Sequence, residues 1–165
     1  MVEIGIKGRQ EAVVLPEYTA KHIGSGTILV LATPMMIALM ERTCRISVEP
    51  YLDEGQQTVG THVDVSHDSA APVGTKVWCE SEVIAIDRRR VTFKVAVYDD
   101  AGLVGQGTHE RFIIDEKRFG DKVKTKQQQE LASPNGYDYG FQDFPENEPR
   151  SAPCRPSGRG RQENH

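Results

Sequence analysis

The chain has 165 residues, which fits one ordinary domain. Its composition, 38% hydrophobic and 27% charged, excludes a coiled coil, a collagen-like repeat and a wholly disordered chain. The formal net charge of −4 lacks the basic footprint of nucleic-acid-binding proteins, so we expect no nucleic-acid partner. The three cysteines, Cys44, Cys79 and Cys154, form no Cys-x-x-Cys pair and predict a reducing compartment rather than a disulfide framework.

The first half of the chain contains one long uncharged stretch, at 23–40. It reaches the lower limit of a membrane span, but Gly24, Gly26 and Pro34 interrupt it. A short strand at 28–32, followed by a helix, accounts for the same residues. The first residues also lack the apolar region of a signal peptide. We therefore expect a soluble, cytoplasmic protein without a membrane partner.

A helix is predicted to begin at Thr33 and to end at Glu49 and Pro50. Thr33 suits the N-cap, and Pro34 suits the first helical position, where its missing N–H costs nothing. The first turns are apolar on every side, which predicts a helix buried on most of its surface.

Strands are predicted to follow this helix, at 58–66, 76–86, 90–98 and 103–114. The third has the clearest alternation, because Val91, Phe93, Val95 and Val97 are separated by polar or small residues. Short turns between consecutive strands favour an antiparallel sheet. One buried helix and several long strands predict an α+β architecture in which the sheet curls around the helix.

The composition changes near residue 120, which divides the chain into a domain at 1–120 and a tail at 121–165. The tail carries five of the nine prolines and few aliphatic side chains. Such a segment buries too little apolar surface to offset the entropy of ordering it, so we expect disorder. An alternative is a docking motif built from its aromatic residues, Tyr137, Tyr139, Phe141 and Phe144.

Three residues of the domain could perform chemistry. Glu41 is an acid within the apolar helix, Thr33 lies at the helix start, and His67 ends the strand that begins at Thr58. Strand alternation places His67 on the face of Val59, Thr61, Val63 and Val65, which we expect to face the helix. A buried Glu beside a buried His could act as a general base, and the amides of Met35 and Met36 could stabilise an oxyanion.

Each of these residues also has an ordinary structural interpretation. Thr33 could serve only as a cap, Glu41 could pair with a basic side chain, and His67 could be a core histidine. A metal site is not expected, because alternation puts His62 and His67 on opposite faces, and we expect no cofactor. The basic run 88–90 is interpreted as a solvated turn, with binding of acyl-CoA phosphates as the alternative.

Several segments, taken together, are similar to a known family. The segments 32–36, 38–41, 50–52, 59–61, 65–67 and 105–111 resemble the hotdog-fold acyl-CoA thioesterases related to fluoroacetyl-CoA thioesterase. The resemblance covers about residues 10–120. It implies a hotdog fold, an acyl-CoA substrate, and a homodimer or dimer of dimers with active sites at the interface between edge-joined sheets. It also implies that Thr33, Glu41 and His67 are catalytic, and that Gly60 and Arg111 bind substrate.

The acyl group is left open. Where the fluoroacetyl-specific enzyme has Gly-Phe after the catalytic Thr, this chain has Pro34 and Met35, so fluoroacetyl selectivity is not carried over. The expected reaction is hydrolysis of an acyl-CoA thioester to free acid and CoA by attack of water or Thr33. The alternatives are a hotdog hydratase or dehydratase, and a non-catalytic acyl-CoA sensor or structural subunit.

Overall fold

A computed structural model gives the structure of the chain and describes residues 1–132. Five strands and three helices are present in this part. In chain order they are β1 (Lys7–Val13), α1 (Ala20–Ile23), α2 (Thr33–Val48), β2 (Gln56–His67), β3 (Lys76–Asp87), β4 (Arg90–Asp99), β5 (Gly102–Asp115) and α3 (Glu116–Leu131). Short 3-10 turns lie at Pro16–Tyr18 and Glu49–Tyr51.

The five strands form one antiparallel sheet in the order β1-β3-β4-β5-β2. Helix α2 contacts all five strands, so the core lies between this helix and the inner face of the sheet. On β4 the predicted alternation is present, since Val91, Phe93, Val95 and Val97 are all buried. The predicted α+β architecture, with an antiparallel sheet curled around a long helix, is confirmed.

The start of α2 differs from the prediction by one residue. Ala32 is the N-cap residue, and Thr33 is the first residue of the helix. The Ala32 carbonyl accepts hydrogen bonds from the amides of Met35 and Met36, both at 3.0 Å. The predicted cap at Thr33 is therefore wrong. The physical reason is that its hydroxyl is hydrogen-bonded elsewhere, to a side chain of β2.

Only one face of α2 is buried within the chain. This face consists of Met36, Met40, Thr43, Cys44 and Val48, which recur at helical spacing. The remaining large apolar side chains of the helix, Met35, Ile37, Leu39 and Ile46, are only half-buried. The expectation of a helix buried on most of its surface does not hold for one chain, because the sheet curls around one side of the helix only.

The predicted strand at 28–32 is an irregular segment in the structure. Val30 and Leu31 form isolated bridges, to Pro72 and to Thr19 respectively. The amide of Leu31 donates to the carbonyl of Ala71 at 2.8 Å. The segment thus bonds to neighbours on two sides and belongs to no continuous strand ladder.

The domain boundary predicted at residue 120 falls inside α3. Residues 121–131 are helical rather than disordered, because Asp115 caps the amide of Arg118 and the next proline is Pro134. The rest of the predicted tail, with its four aromatic residues, lies outside the described residues. Within 1–132, no helix is both long and apolar enough to cross a bilayer.

Candidate active site

The site begins with a hydrogen bond between the first residue of α2 and the last residue of β2. Thr33 Oγ1 lies 2.8 Å from Nδ1 of His67. The two residues are 34 positions apart in the chain, and they meet because β2 runs back along α2 and ends beside the start of the helix. Two of the three expected catalytic residues are thus in direct contact.

A cleft opens in front of this pair. It has a volume of about 380 Å³, which is within the range of small-molecule binding sites. Besides Thr33 and His67, the lining consists of aliphatic residues, two serines and one acid: Ala20, Ser25, Val30, Leu31, Asp68, Ser69 and Ala70. The Thr33 hydroxyl and the His67 ring therefore lie at the edge of a space that a small substrate group can enter.

The tautomer of His67 decides the direction of its hydrogen bond. With the ring proton on Nε2, Nδ1 accepts the hydroxyl proton of Thr33, as a general base must. Nε2 is buried and has no hydrogen-bond partner within residues 1–132. A buried N–H without an acceptor is costly. A base role for His67 therefore requires an acceptor for Nε2 that residues 1–132 do not supply.

The third expected catalytic residue, Glu41, lies apart from this pair within one chain. It is eight residues after Thr33 on α2, which places it about 12 Å further along the helix axis. Its carboxylate lies beside Gly60 and Arg111, the two residues expected to bind substrate. A Cβ atom at Gly60 would be 3.2 Å from Glu41 Oε1, and Arg111 Nη1 is 3.9 Å from Glu41 Oε2. The five expected site residues thus form two groups.

A β-bulge brings both groups to the same face of β2. Gly60 and His67 are separated by seven residues, an odd number that puts two residues of a regular strand on opposite faces. The register with β5 shifts between Gly60 and His62, so alternation restarts there. Before the bulge it is Thr58 and Gly60 that face α2. The expectation that Val59 and Thr61 face the helix is wrong, because strand parity does not show the bulge.

Arg111 is the centre of a buried polar network on β5 and β2. Its side chain is 6% exposed and donates from Nε to Thr58 Oγ1 and from Nη2 to the Thr58 carbonyl, both at 2.8 Å. Its Nη1 is 3.2 Å from His109 Nε2, and His109 Nδ1 is 2.8 Å from the carbonyl of His62. Burial is the main reason that the pKa values of Arg111 and His109 are both lowered.

Thr58 and His109 were not among the residues expected from the sequence. One available signal was the spacing of His109 and Arg111, which are two residues apart and share a face of β5. Thr58 carries no such signal, because β2 and β5 meet through pairing of distant segments.

The amides expected to stabilise an oxyanion are occupied. Those of Met35 and Met36 both donate to the Ala32 carbonyl, inside the first turn of α2. The amide of Thr33, as the first residue of the helix, has no acceptor within that helix. Thr33 N–H is therefore the better candidate donor at this end of α2.

Neither a metal-binding cluster nor an exposed thiol lies at the cleft in the part of the chain that the structure describes. No group of three or more His, Cys, Asp or Glu side chains in residues 1–132 is arranged to hold a metal ion. The two described cysteines, Cys44 and Cys79, are free thiols buried in the core. Burial is the main cause that raises the pKa of the Cys79 thiol to about 11, so this thiol is a poor nucleophile.

Comparison with known proteins identifies the family. The model of the Fluoroacetyl-CoA-specific thioesterase family (FlK) matches residues 14–117. The fluoroacetyl-CoA thioesterase of Streptantibioticus cattleyicolor is 32% identical over 131 residues, and the match covers 76% of this chain and 94% of that protein. A solved structure of fluoroacetyl-CoA thioesterase FlK superposes with a TM-score of 0.73 at 32% identity, covering 76% of this chain and 98% of that one.

A more distant thioesterase has the same fold. A thioesterase superfamily member of Thermus thermophilus superposes with a TM-score of 0.75 at 27% identity, covering 81% of this chain and 98% of that one. The agreement confirms the hotdog fold and the resemblance noted in the sequence. The chain belongs to the fluoroacetyl-CoA-specific thioesterase family of hotdog-fold proteins.

Proposed function

We propose that the chain is an acyl-CoA thioesterase, which hydrolyses an acyl-CoA thioester to free acid and CoA. The observation that carries the proposal is the hydrogen bond of 2.8 Å between Thr33 Oγ1 and His67 Nδ1 at the cleft. A hydroxyl that contacts an imidazole is the arrangement in which a nucleophile is activated by a general base. Membership of a thioesterase family supplies the reaction type.

The complete site is formed by two chains of a homodimer. Strand β2 is an edge strand of the sheet, and half of α2's apolar side chains are left half-buried, so both elements are suited to contact a second chain. If β2 pairs with the β2 of a second chain around a two-fold axis at residue 64, the extra residue of the bulge brings Gly60 of the partner subunit opposite His67. Glu41 of the partner subunit, which lies beside that glycine, then approaches the pair formed by Thr33 and His67.

The mechanism divides the work between these groups. His67 takes a proton from water or from the Thr33 hydroxyl, and the activated oxygen attacks the thioester carbonyl. Glu41 of the partner subunit balances the charge that develops on the imidazole. The amide of Thr33, aided by the positive end of α2, stabilises the oxyanion. Gly60 and Arg111 contact the substrate. The C–S bond breaks as the tetrahedral intermediate collapses, and the departing thiolate of CoA takes the proton from His67. Where Thr33 is the attacking group, a water activated by His67 then hydrolyses the acyl ester to free acid and restores the hydroxyl.

The dimer acts in the cytoplasm. A reducing compartment suits the two described cysteines, because Cys44 and Cys79 are buried as free thiols.

The test is release of CoA from a panel of acyl-CoA esters with short, branched, long and aryl acyl groups. The wild type is expected to hydrolyse at least one ester, and His67→Ala is expected to reduce kcat by about 100-fold or more. The matched control is His22→Ala, which removes an exposed histidine on α1 and should retain wild-type turnover. Tight binding without turnover would favour the sensor alternative, and addition of water to an enoyl-CoA would favour a hydratase.

A further inference from the structure

We propose that Thr58 and His109 are positioning residues that hold the Arg111 guanidinium against the Glu41 carboxylate. The inference rests on the proposed function, because the two residues are proposed to support thioester hydrolysis. Neither residue is placed to touch the acyl group, so both would act through Arg111.

The first support is the number of hydrogen bonds that hold Arg111. A guanidinium has five N–H groups in a rigid, planar fork. Thr58 accepts two of them, one at its hydroxyl and one at its carbonyl, and His109 lies at hydrogen-bond distance from Nη1. These contacts use three of the five N–H groups, and the second hydrogen of Nη1 is left to face Glu41 Oε2, which is 3.9 Å from Nη1.

The second support is the tautomer that the surroundings of His109 require. Its Nδ1 lies 2.8 Å from the carbonyl of His62, and a carbonyl only accepts, so the ring proton is on Nδ1. Nε2 is then a bare acceptor, which receives a hydrogen bond from Arg111 Nη1 at 3.2 Å. His109 is 1% exposed and stacks on Phe93. A neutral imidazole is therefore fixed in the orientation that binds a guanidinium.

The charges around His109 have opposite effects on protonation of its imidazole ring. Arg111 on β5 disfavours an imidazolium, whereas Glu41 on α2 and Glu110 on β5 favour it. Burial is the largest effect and also opposes the charge. The neutral ring can accept from Arg111, while an imidazolium would have a donor on both nitrogens and could not.

The third support is the space left by Gly60. A Cβ atom at this position would be 3.1 Å from His109 Cε1 and 3.2 Å from Glu41 Oε1. The absence of a side chain thus allows α2 and β5 to bring Glu41, Arg111 and His109 together. A carboxylate held by a fixed cation has lost its orientational freedom before the substrate arrives, which lowers the entropic part of the barrier.

The experiment compares variants by steady-state kinetics on the best acyl-CoA ester. His109→Leu removes the acceptor for Arg111, His109→Gln retains one, and Thr58→Val removes a hydroxyl while keeping the shape. The matched control is Thr92→Val, on β4, which makes the same chemical change on the outer face of the sheet, opposite Glu110. Dimer elution and thermal unfolding identify the variants that fold. If His109→Leu does not fold, Thr58→Val carries the test.

We expect Thr58→Val and His109→Leu to lower kcat by about tenfold or more, because displacing the Glu41 carboxylate is costly, and to change KM by a smaller factor. His109→Gln and Thr92→Val should stay within about threefold of the wild type in kcat. Combined with Arg111→Lys, which destroys the fork, Thr58→Val and His109→Leu should cause little further loss.

Three results would overturn the inference. Losses that multiply in the double variants would mean that Thr58 and His109 do not act through Arg111. Equal losses of kcat for His109→Gln and His109→Leu would mean that the hydrogen-bond acceptor at position 109 is irrelevant. An unchanged kcat in Thr58→Val would mean the same for the Thr58 hydroxyl. By contrast, a wild type that releases no CoA from any ester would overturn the proposed function itself.

An NMR measurement separates the two failures, because it does not depend on activity. The Nε–H of Arg111 should exchange slowly with solvent in the wild type and rapidly in Thr58→Val. Rapid exchange in the wild type would show that the network does not hold Arg111.

Discussion

The Thr33 hydroxyl lies 2.8 Å from Nδ1 of His67, so a side-chain hydrogen bond joins the first residue of α2 to the last residue of β2. A threonine at a helix start commonly caps the helix. Here Ala32 occupies the N-cap position without a side-chain hydrogen bond, and the hydroxyl of Thr33 contacts the imidazole instead. The Thr33 hydroxyl is therefore hydrogen-bonded to a residue of the cleft rather than to the backbone of the helix terminus.

Removing this hydroxyl should affect catalysis more than stability. Thr33→Val is expected to lower kcat by about 100-fold or more, while Thr33→Ser should keep kcat within about tenfold. Because Thr33 is exposed, the loss in unfolding free energy should be only about 0.5 kcal/mol. Kinetics and urea unfolding measure the two effects. Full activity in Thr33→Val, with loss in Glu41→Gln and His67→Ala, would show that the hydroxyl is not the nucleophile.

Two inactive variants should complement each other if the site is shared between chains. In a heterodimer of His67→Ala and Glu41→Gln chains, one of the two shared sites has both wild-type residues. Random re-assembly of equal amounts should restore about 25% of wild-type activity, because half of the dimers are mixed and each has one intact site. The assay is CoA release after joint unfolding and refolding.

Re-assembly of each variant alone is the control for this experiment and should yield no activity. An inactive mixture, in which heterodimers are detected by mass spectrometry, would place Glu41 and His67 of the same site in one chain.

Adding a single carbon at Gly60 should disturb the site. In Gly60→Ala the new Cβ would be 3.1 Å from His109 Cε1 and 3.2 Å from Glu41 Oε1, both closer than ordinary van der Waals contact. The carboxylate must move, and we expect kcat to fall by about tenfold.

The matched control is Gly120→Ala, in α3, where a Cβ has no heavy atom within 4 Å. This variant should retain wild-type kcat and stabilise α3 by about 0.5–1 kcal/mol. Equal kcat in the two variants would mean that Glu41 has room to move without consequence.

The lowered pKa of His109 predicts a stability that depends on pH. Burial lowers the pKa in the folded state, so the unfolded chain binds more protons as the pH falls below about 6.5. The free energy of unfolding should therefore be greatest above that pH. It should decrease as the pH falls through the pKa of His109 in the unfolded chain towards its lower pKa in the folded protein. The measurement is the urea midpoint at pH 7.5 and at pH 5.

In His109→Gln this contribution is absent, so the midpoint should fall less between the two pH values than in the wild type. An equal fall in the two proteins would show that another group causes the pH dependence.

Sequence patterns predicted the strands that bury side chains in the core. Strands β2 to β5 and helix α2 lie within two residues of the predicted bounds, because strand alternation and the prolines near the helix ends are local signals. Strand β1 was missed. Its residues are mostly polar and none is buried, so it is a strand because its backbone pairs with β3. The predicted boundary at residue 120 divided α3, because the composition of residues 121–165 concealed the helical segment at 121–131.

The residue types at the start of α2 and the end of β2 were readable in the sequence, and the family resemblance assigned them a chemistry. Composition and periodicity thus determined the fold class and the long helix, and they drew attention to Thr33, Glu41 and His67, since each of these depends on residues near one another in the chain. The resemblance to a known family added Gly60 and Arg111.

Only the tertiary structure decided which of these residues meet. It joined Thr33 to His67, placed Glu41 with Gly60 and Arg111, and added Thr58 and His109. The bulge after Gly60 reversed the parity of β2, and a single extra residue leaves no mark on a hydrophobic pattern. Contacts between distant segments depend on strand register and helix position, which the packing of the whole domain determines.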